Sequence, residues 1–111
     1  MAGIIKISEK QFWSTANWAY WGLMDHLIDA LANDTDAARR VEGCKWMQIL
    51  SIPLLRKDDP KLADRILAKL KDVSAIGASG ALVCKVEGRV LDSASQKMFR
   101  DTIKVLSDML E

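Results

Sequence analysis

The first third of the chain carries the clearest pattern of hydrophobic and polar positions. From Phe12 onward, apolar residues recur at intervals of three and four, the spacing of one face of an amphipathic helix. Ser8 and Gln11 have the spacing of a capping box. Ile7 and Phe12 have the spacing of a hydrophobic staple, so both signals start the helix at Ser8. The pattern predicts one long helix that ends at about Ala32.

The next segment has a helical composition but a less regular spacing. A second helix is predicted from Asp36 to about Lys57. Because Pro53 lacks an amide proton, this helix is expected to stop or kink near Leu50.

Two further helices have strong start signals. Asp59 followed by Pro60 predicts the start of a third helix, and Gly77 is its predicted end. Ser93 and Gln96 repeat the capping-box spacing and predict a last helix that runs to the C-terminus.

Residues 78–92 fit two structures. Their apolar positions suit a short helix, but Leu82, Cys84 and Val86 also alternate as in a strand, with a turn at Glu87–Gly88. Glu-Gly is a poor hairpin turn, so a helix is favoured. The predicted fold class is all-α, a compact bundle of four to five helices in one domain, residues 1–111, with the first helix at its centre. The alternative is α+β with a small hairpin near residues 82–91.

The first predicted helix has large apolar rings on two sides. At about 100° per residue, Trp18 and Trp21 lie away from the main apolar stripe. That stripe contains Phe12, Ala16, Leu23, Leu27 and Leu31. Tryptophan is enriched in binding hot spots, and nearby carboxylates would steer a basic partner. We therefore predict a partner-binding face of Trp18, Trp21, Gly22, Asp25 and Asp29, with the glycine admitting a partner's backbone. Burial of both rings in the core is nevertheless the favoured interpretation of this helix, and an indole-lined pocket for a small molecule is a third.

Charge identifies a second candidate surface. The formal net charge is only +1, but residues 37–71 contain nine basic and four acidic side chains, a net charge of +5. Arg56, Lys57, Lys61, Arg65 and Lys69 form a basic stripe that could follow a phosphate backbone. Several aspartates interrupt it and no aromatic residue lies between the cations, so a solvated helix face is favoured over nucleic-acid binding.

Candidate chemistry is sparse. His26 has no second histidine or cysteine at ligand spacing, so a metal site is not expected. The glycine-rich residues 77–80 lack the lysine of a phosphate-binding loop, and no paired acid and base suggests an enzyme or a cofactor site. Cys44 and Cys84, without a CxxC motif, predict free thiols in a reducing compartment. No signal peptide or membrane-spanning run is evident, so a cytoplasmic protein is expected.

These features predict a small protein-binding module. Its size and composition are those of inhibitor, immunity and antitoxin proteins, which act by occupying a partner's surface. The partner is expected to be another protein or a second copy of the chain. Nucleic-acid binding through the stripe at 56–69 is the alternative, and an enzyme with an unrecognised site is less expected.

Overall fold

The N-terminal segment is a β-hairpin and not the start of a helix. The computed structural model describes residues 2–111, in which strand β1 (Ala2–Lys6) pairs antiparallel with β2 (Phe12–Ala16). The Ser8 hydroxyl accepts hydrogen bonds from the Lys10 and Gln11 amides, so the predicted capping residue closes a turn. The all-α expectation is therefore wrong in this segment.

The first helix is consequently shorter than predicted. Helix α1 spans Asn17–Ala30, and its Leu23 and Leu27 are fully buried as the stripe requires. Phe12 and Ala16, assigned to the same stripe, lie in β2 instead, where the Phe12 side chain is 63% exposed.

The second predicted helix is divided by a strand. Helix α2 (Thr35–Met47) ends at Gln48, whose φ of 63° reverses the chain. Strand β3 (Ile49–Ser51) follows and pairs in parallel with β1, giving the strand order β2-β1-β3. Helix α3 (Ile52–Asp58) then begins with Pro53 in its first turn, where the missing amide proton costs nothing.

The last two long helices match their predictions closely. Helix α4 spans Pro60–Ala78, and the Asp59 carboxylate accepts a hydrogen bond from the Leu62 amide at its start. Helix α5 spans Ser93–Leu110, but its N-cap is Asp92 and not Ser93. Gly77 is inside α4 and packs against Ile103, so it does not end the helix as predicted.

Between these helices lies the small hairpin that the sequence offered as an alternative. Strands β4 (Lys85–Val86) and β5 (Arg89–Val90) pair antiparallel, and the predicted helix over this region is wrong. The turn is possible because Glu87 and Gly88 both have positive φ, at 51° and 78°. The protein is therefore mainly helical with a small strand component, as in the α+β alternative.

Helix α1 lies at the centre of the molecule. It contacts α2, α4, α5, the three-stranded sheet and the β4–β5 hairpin. The fully buried Tyr20 donates a hydrogen bond of 2.7 Å to the Cys44 carbonyl, which joins α1 to α2. On the inner face of the sheet, buried Trp13 donates to the Thr102 carbonyl of α5 at 3.0 Å. No helix among residues 2–111 is long and apolar enough to cross a membrane.

Candidate partner-binding surface

The predicted binding face of α1 is partly covered by α2. The rings of Trp21 and Trp46 meet edge to face, with 5.1 Å between centroids. The Lys45 ammonium lies 5.1 Å from the Trp21 centroid and 5.5 Å from that of Trp46. Lys45 also forms a 2.7 Å ion pair with Asp25. Trp21 and Asp25 are thus engaged within the chain, and they hold α1 against α2.

The space beside Gly22 is filled by other side chains of the protein. A Cβ at this position would lie 2.6 Å from the Cys84 sulfur and 3.3 Å from a ring carbon of Phe99. The glycine therefore admits the segment before the β4–β5 hairpin and α5, and the approach of a partner's backbone to it stays a prediction. Trp18 is half-buried and packs on the core, and Asp29 is exposed. For these two residues a role in binding stays a prediction.

The C-terminal half of the α1 face forms one wall of a cleft. Asp25 and Asp29 face the β4–β5 hairpin across a cavity of about 760 Å³. His26 Nε2 lies 2.7 Å from the Val83 carbonyl, so this histidine ties α1 to the segment that leads into the hairpin. Residues 2–111 contain no cluster of three or more potential metal ligands of the His, Cys, Asp and Glu type.

An exposed apolar surface lies where α2, β3 and α3 meet. Met47, Ile49 and Leu54 are 72%, 37% and 64% exposed, and they line a groove of about 430 Å³ with Cys44 and Leu55. The chain reversal at the end of α2 and the immediate start of α3 after β3 place these side chains around one depression. Such contiguous exposed apolar surface is typical of interaction sites.

A second groove adjoins the first along α2. It measures about 440 Å³ and shares Arg40, Cys44 and Met47 with its neighbour. Gly43, on its wall, is exposed and has open space around it, so another backbone could approach α2 there. We call the two depressions together the Met47 groove.

Charged side chains line the Met47 groove together with the apolar ones. Arg40 forms a 3.0 Å ion pair with Asp58 at one side, and Arg39, Lys57 and Asp36 also line the grooves. An apolar centre with a polar rim is the usual anatomy of a protein–protein interface.

Sequence reasoning missed this surface. A single helix from Asp36 to Lys57 would place Met47 and Leu54, seven residues apart, on one face, but it would turn Ile49 away from them. The signal that could have found it is the density of apolar residues over 46–55. This density is too high for a helix that buries only one face.

The basic stripe is exposed but partly neutralised. Lys61, Arg65 and Lys69 lie on the solvent side of α4, as predicted. Arg65 binds the Asp34 carboxylate with contacts of 2.7 and 3.4 Å, and this hydrogen bonding lowers the pKa of Asp34. Arg56 lies 3.6 Å from Asp64. Nucleic-acid binding through this stripe stays the less favoured prediction.

Both cysteines are shielded thiols. Cys84 is fully buried and Cys44 is half-buried, and neither forms a disulfide. Burial raises the pKa of Cys44, and burial raises the pKa of Cys84 to about 11.

We expect both native thiols to react with iodoacetamide at about pH 8 more slowly than in denaturant, because the thiolate is the nucleophile. Because the pKa of Cys84 is higher in the folded than in the unfolded protein, the protonated thiol contributes to the free energy of unfolding. This contribution is complete below the ordinary pKa of 9.0 and is lost as the pH rises through about 11. Alkylation followed by mass spectrometry measures both rates, and faster labelling of native Cys84 than of unfolded Cys84 would contradict the burial.

No protein family, curated protein or solved structure matches this chain.

Proposed function

We propose that the protein is a protein-binding module whose principal contact surface is the Met47 groove. The observation that supports this most directly is the exposure of Met47 and Leu54, at 72% and 64%, which line the same apolar groove. When a partner removes large flexible or aliphatic side chains in such a position from water, the free energy of the complex is lowered.

The chemistry of the groove suits an apolar segment of another protein. The less exposed Cys44 and Leu55 also line the groove, and its charged side chains would pair with polar groups around an apolar anchor. The activity we propose is occupation of a partner's surface, which is how inhibitor and immunity proteins act. The two free thiols fit a reducing compartment, so we expect the protein to act in the cytoplasm.

The Met47 groove is favoured over the α1 face for a geometric reason. Trp21, Gly22 and Asp25 are held by contacts within the chain, so a partner there would have to displace them or bind around them. The apolar side chains Met47, Ile49 and Leu54 are exposed in the groove and need no such rearrangement.

Peptide selection tests the proposal even though the natural partner is unidentified. Random peptides displayed on phage are selected on the wild-type protein, and the affinity of the enriched peptides is measured by calorimetry. We expect sequences rich in large apolar residues, and we expect Met47→Lys plus Leu54→Lys to weaken their binding by about tenfold or more, since hot-spot contacts are lost. Both positions are exposed, so the free energy of unfolding should change by less than about 0.5 kcal/mol per substitution.

A matched control uses apolar residues that are exposed elsewhere. Met98 and Val105 on α5 are 60% and 55% exposed, so Met98→Lys plus Val105→Lys adds the same charge without touching the groove. Binding should survive in this variant. Peptides that bind the groove variant as well as wild type would refute the proposed surface, and their loss with Trp18→Gln plus Asp29→Lys would assign binding to the α1 face instead.

A further inference from the structure

The outer edge of the sheet at β2 is open. In the order β2-β1-β3, β2 has a neighbour on one side only. The Phe12, Ser14 and Ala16 residues of this strand are all exposed, while Trp13 between them is buried. No helix or loop of residues 2–111 therefore shields these three positions from solvent.

The main-chain groups of the same three residues point outward. The Ile7 amide donates to the Gln11 carbonyl at 2.9 Å, which makes residues 7 and 11 a hydrogen-bonded pair. Hydrogen-bonded and non-hydrogen-bonded pairs alternate along an antiparallel ladder. The main-chain amides and carbonyls of residues 13 and 15 therefore face β1, and those of residues 12, 14 and 16 do not. The parallel strand agrees, since the Ile4 amide opposite Ser14 turns away from β2 and donates to Gln48. The free edge thus presents the amides and carbonyls of Phe12 and Ser14 and the amide of Ala16, whose carbonyl lies at the N-cap of α1.

Nothing in the sequence of β2 blocks pairing with another strand. Exposed edges usually carry a lysine, a proline or a bulge that prevents it. Residues 11–24 contain no charged residue and no proline, and the five pairs from Ala2–Ala16 to Lys6–Phe12 run without a bulge.

From this edge we infer that a second copy of the chain pairs antiparallel with β2, with a two-fold axis through Ser14. In this register Ser14 lies opposite Ser14 of the other copy, and Phe12 lies opposite Ala16. Only an axis at Ser14 uses the whole strand. The product is a continuous six-stranded sheet with the order β3-β1-β2-β2-β1-β3.

The side chains favour a second copy as the occupant. Phe12, Ser14 and Ala16 share the outer face of the sheet, and the pairing places the large Phe12 ring over the small Ala16 methyl at both ends. Two serines meet at the axis without crowding, and the absence of charge in residues 11–24 removes repulsion between identical strands. Pairing would also cover the Phe12 ring, which is 63% exposed in the single chain.

This surface is separate from the Met47 groove. The groove lies beside β3, and β2 is at the opposite edge of the sheet. A result that contradicts the dimer would therefore leave the proposed function untouched, and a result that contradicts the Met47 groove would leave the dimer untouched.

Charge exchange at Ser14 tests the register itself. We expect the wild-type protein to be a dimer at about 100 µM in light scattering coupled to size exclusion, and to dissociate on dilution. Ser14→Lys and Ser14→Glu should each give monomers, because like charges directly opposite each other destabilise a strand pair. Mixing the two variants should restore the dimer. The uncharged control Ser14→Gln should remain dimeric.

A cross-link provides a second measurement with little change to the strand. Residues that form a hydrogen-bonded antiparallel pair have Cα atoms about 5.5 Å apart, within the range of a disulfide. Ser14→Cys should therefore form a covalent dimer on mild oxidation, and Ser93→Cys, exposed at the start of α5, should not. A wild-type protein that is monomeric at about 100 µM, or charged Ser14 variants that stay dimeric or do not complement each other, would overturn the inference.

Discussion

Leu27→Ala is expected to lower the free energy of unfolding by about 2–5 kcal/mol, whereas Phe12→Ala should lower it by less than about 1 kcal/mol. The sequence pattern places both residues on one apolar stripe, but the structure separates them. Leu27 is fully buried in α1, so its truncation removes apolar burial and leaves a cavity. Phe12 is 63% exposed in β2, so its truncation leaves none.

Urea denaturation of both variants measures the difference. The protein concentration should be low enough to exclude association, because Phe12 belongs to the proposed dimer edge. Equal losses would mean that Phe12 packs in the core and that the hairpin at residues 2–16 is not the structure in solution.

Gly22→Ala is expected to destabilise the protein by about 1–3 kcal/mol, because the added methyl group overpacks the contact with Cys84 and Phe99. The nearest atom, the Cys84 sulfur, would be only 2.6 Å away. Gly43→Ala is the matched control, since it is also a helical glycine but has no atom within 4 Å of the added Cβ. It should stabilise the protein by about 0.5–1 kcal/mol through helix propensity.

If the packing is correct, thermal and chemical denaturation should show changes in stability of opposite sign for the two variants. The Gly22→Ala variant should also show faster amide exchange in residues 81–91, because the segment with Cys84 is pushed from α1. A Gly22→Ala protein as stable as Gly43→Ala would show that the glycine face of α1 is open, as the helical spacing alone predicts.

Local signals predicted the parts of the fold that depend on local contacts. Asp59 and Pro60 start α4 where expected, because a capping carboxylate and a fixed φ act within one turn. The Ser8–Gln11 spacing predicted a helix start wrongly for the same reason, because it too reports only a local contact. A serine hydroxyl that accepts from the amide three residues later occurs in helix caps and in turns alike, and here it closes a hairpin.

The remaining parts depend on distant residues. Residues 2–6 and 12–16 are strands because β1 also pairs with β3, about 45 residues later, and no local pattern contains that contact. The Met47 groove depends on the reversal at Gln48, a residue with no glycine-like signal for positive φ. The α1 face could be located by helical spacing, but the cover that α2 gives to Trp21 could not.

The position of β1 in the middle of its sheet has a consequence for folding. Its antiparallel partner β2 is a near neighbour in sequence, but its parallel partner β3 follows only after α1 and α2. Closing this long loop costs chain entropy before any strand contact repays it. We therefore expect the β1–β2 hairpin to form early, and the wall of the Met47 groove that contains Ile49 to be completed only in the late, cooperative step that docks β3.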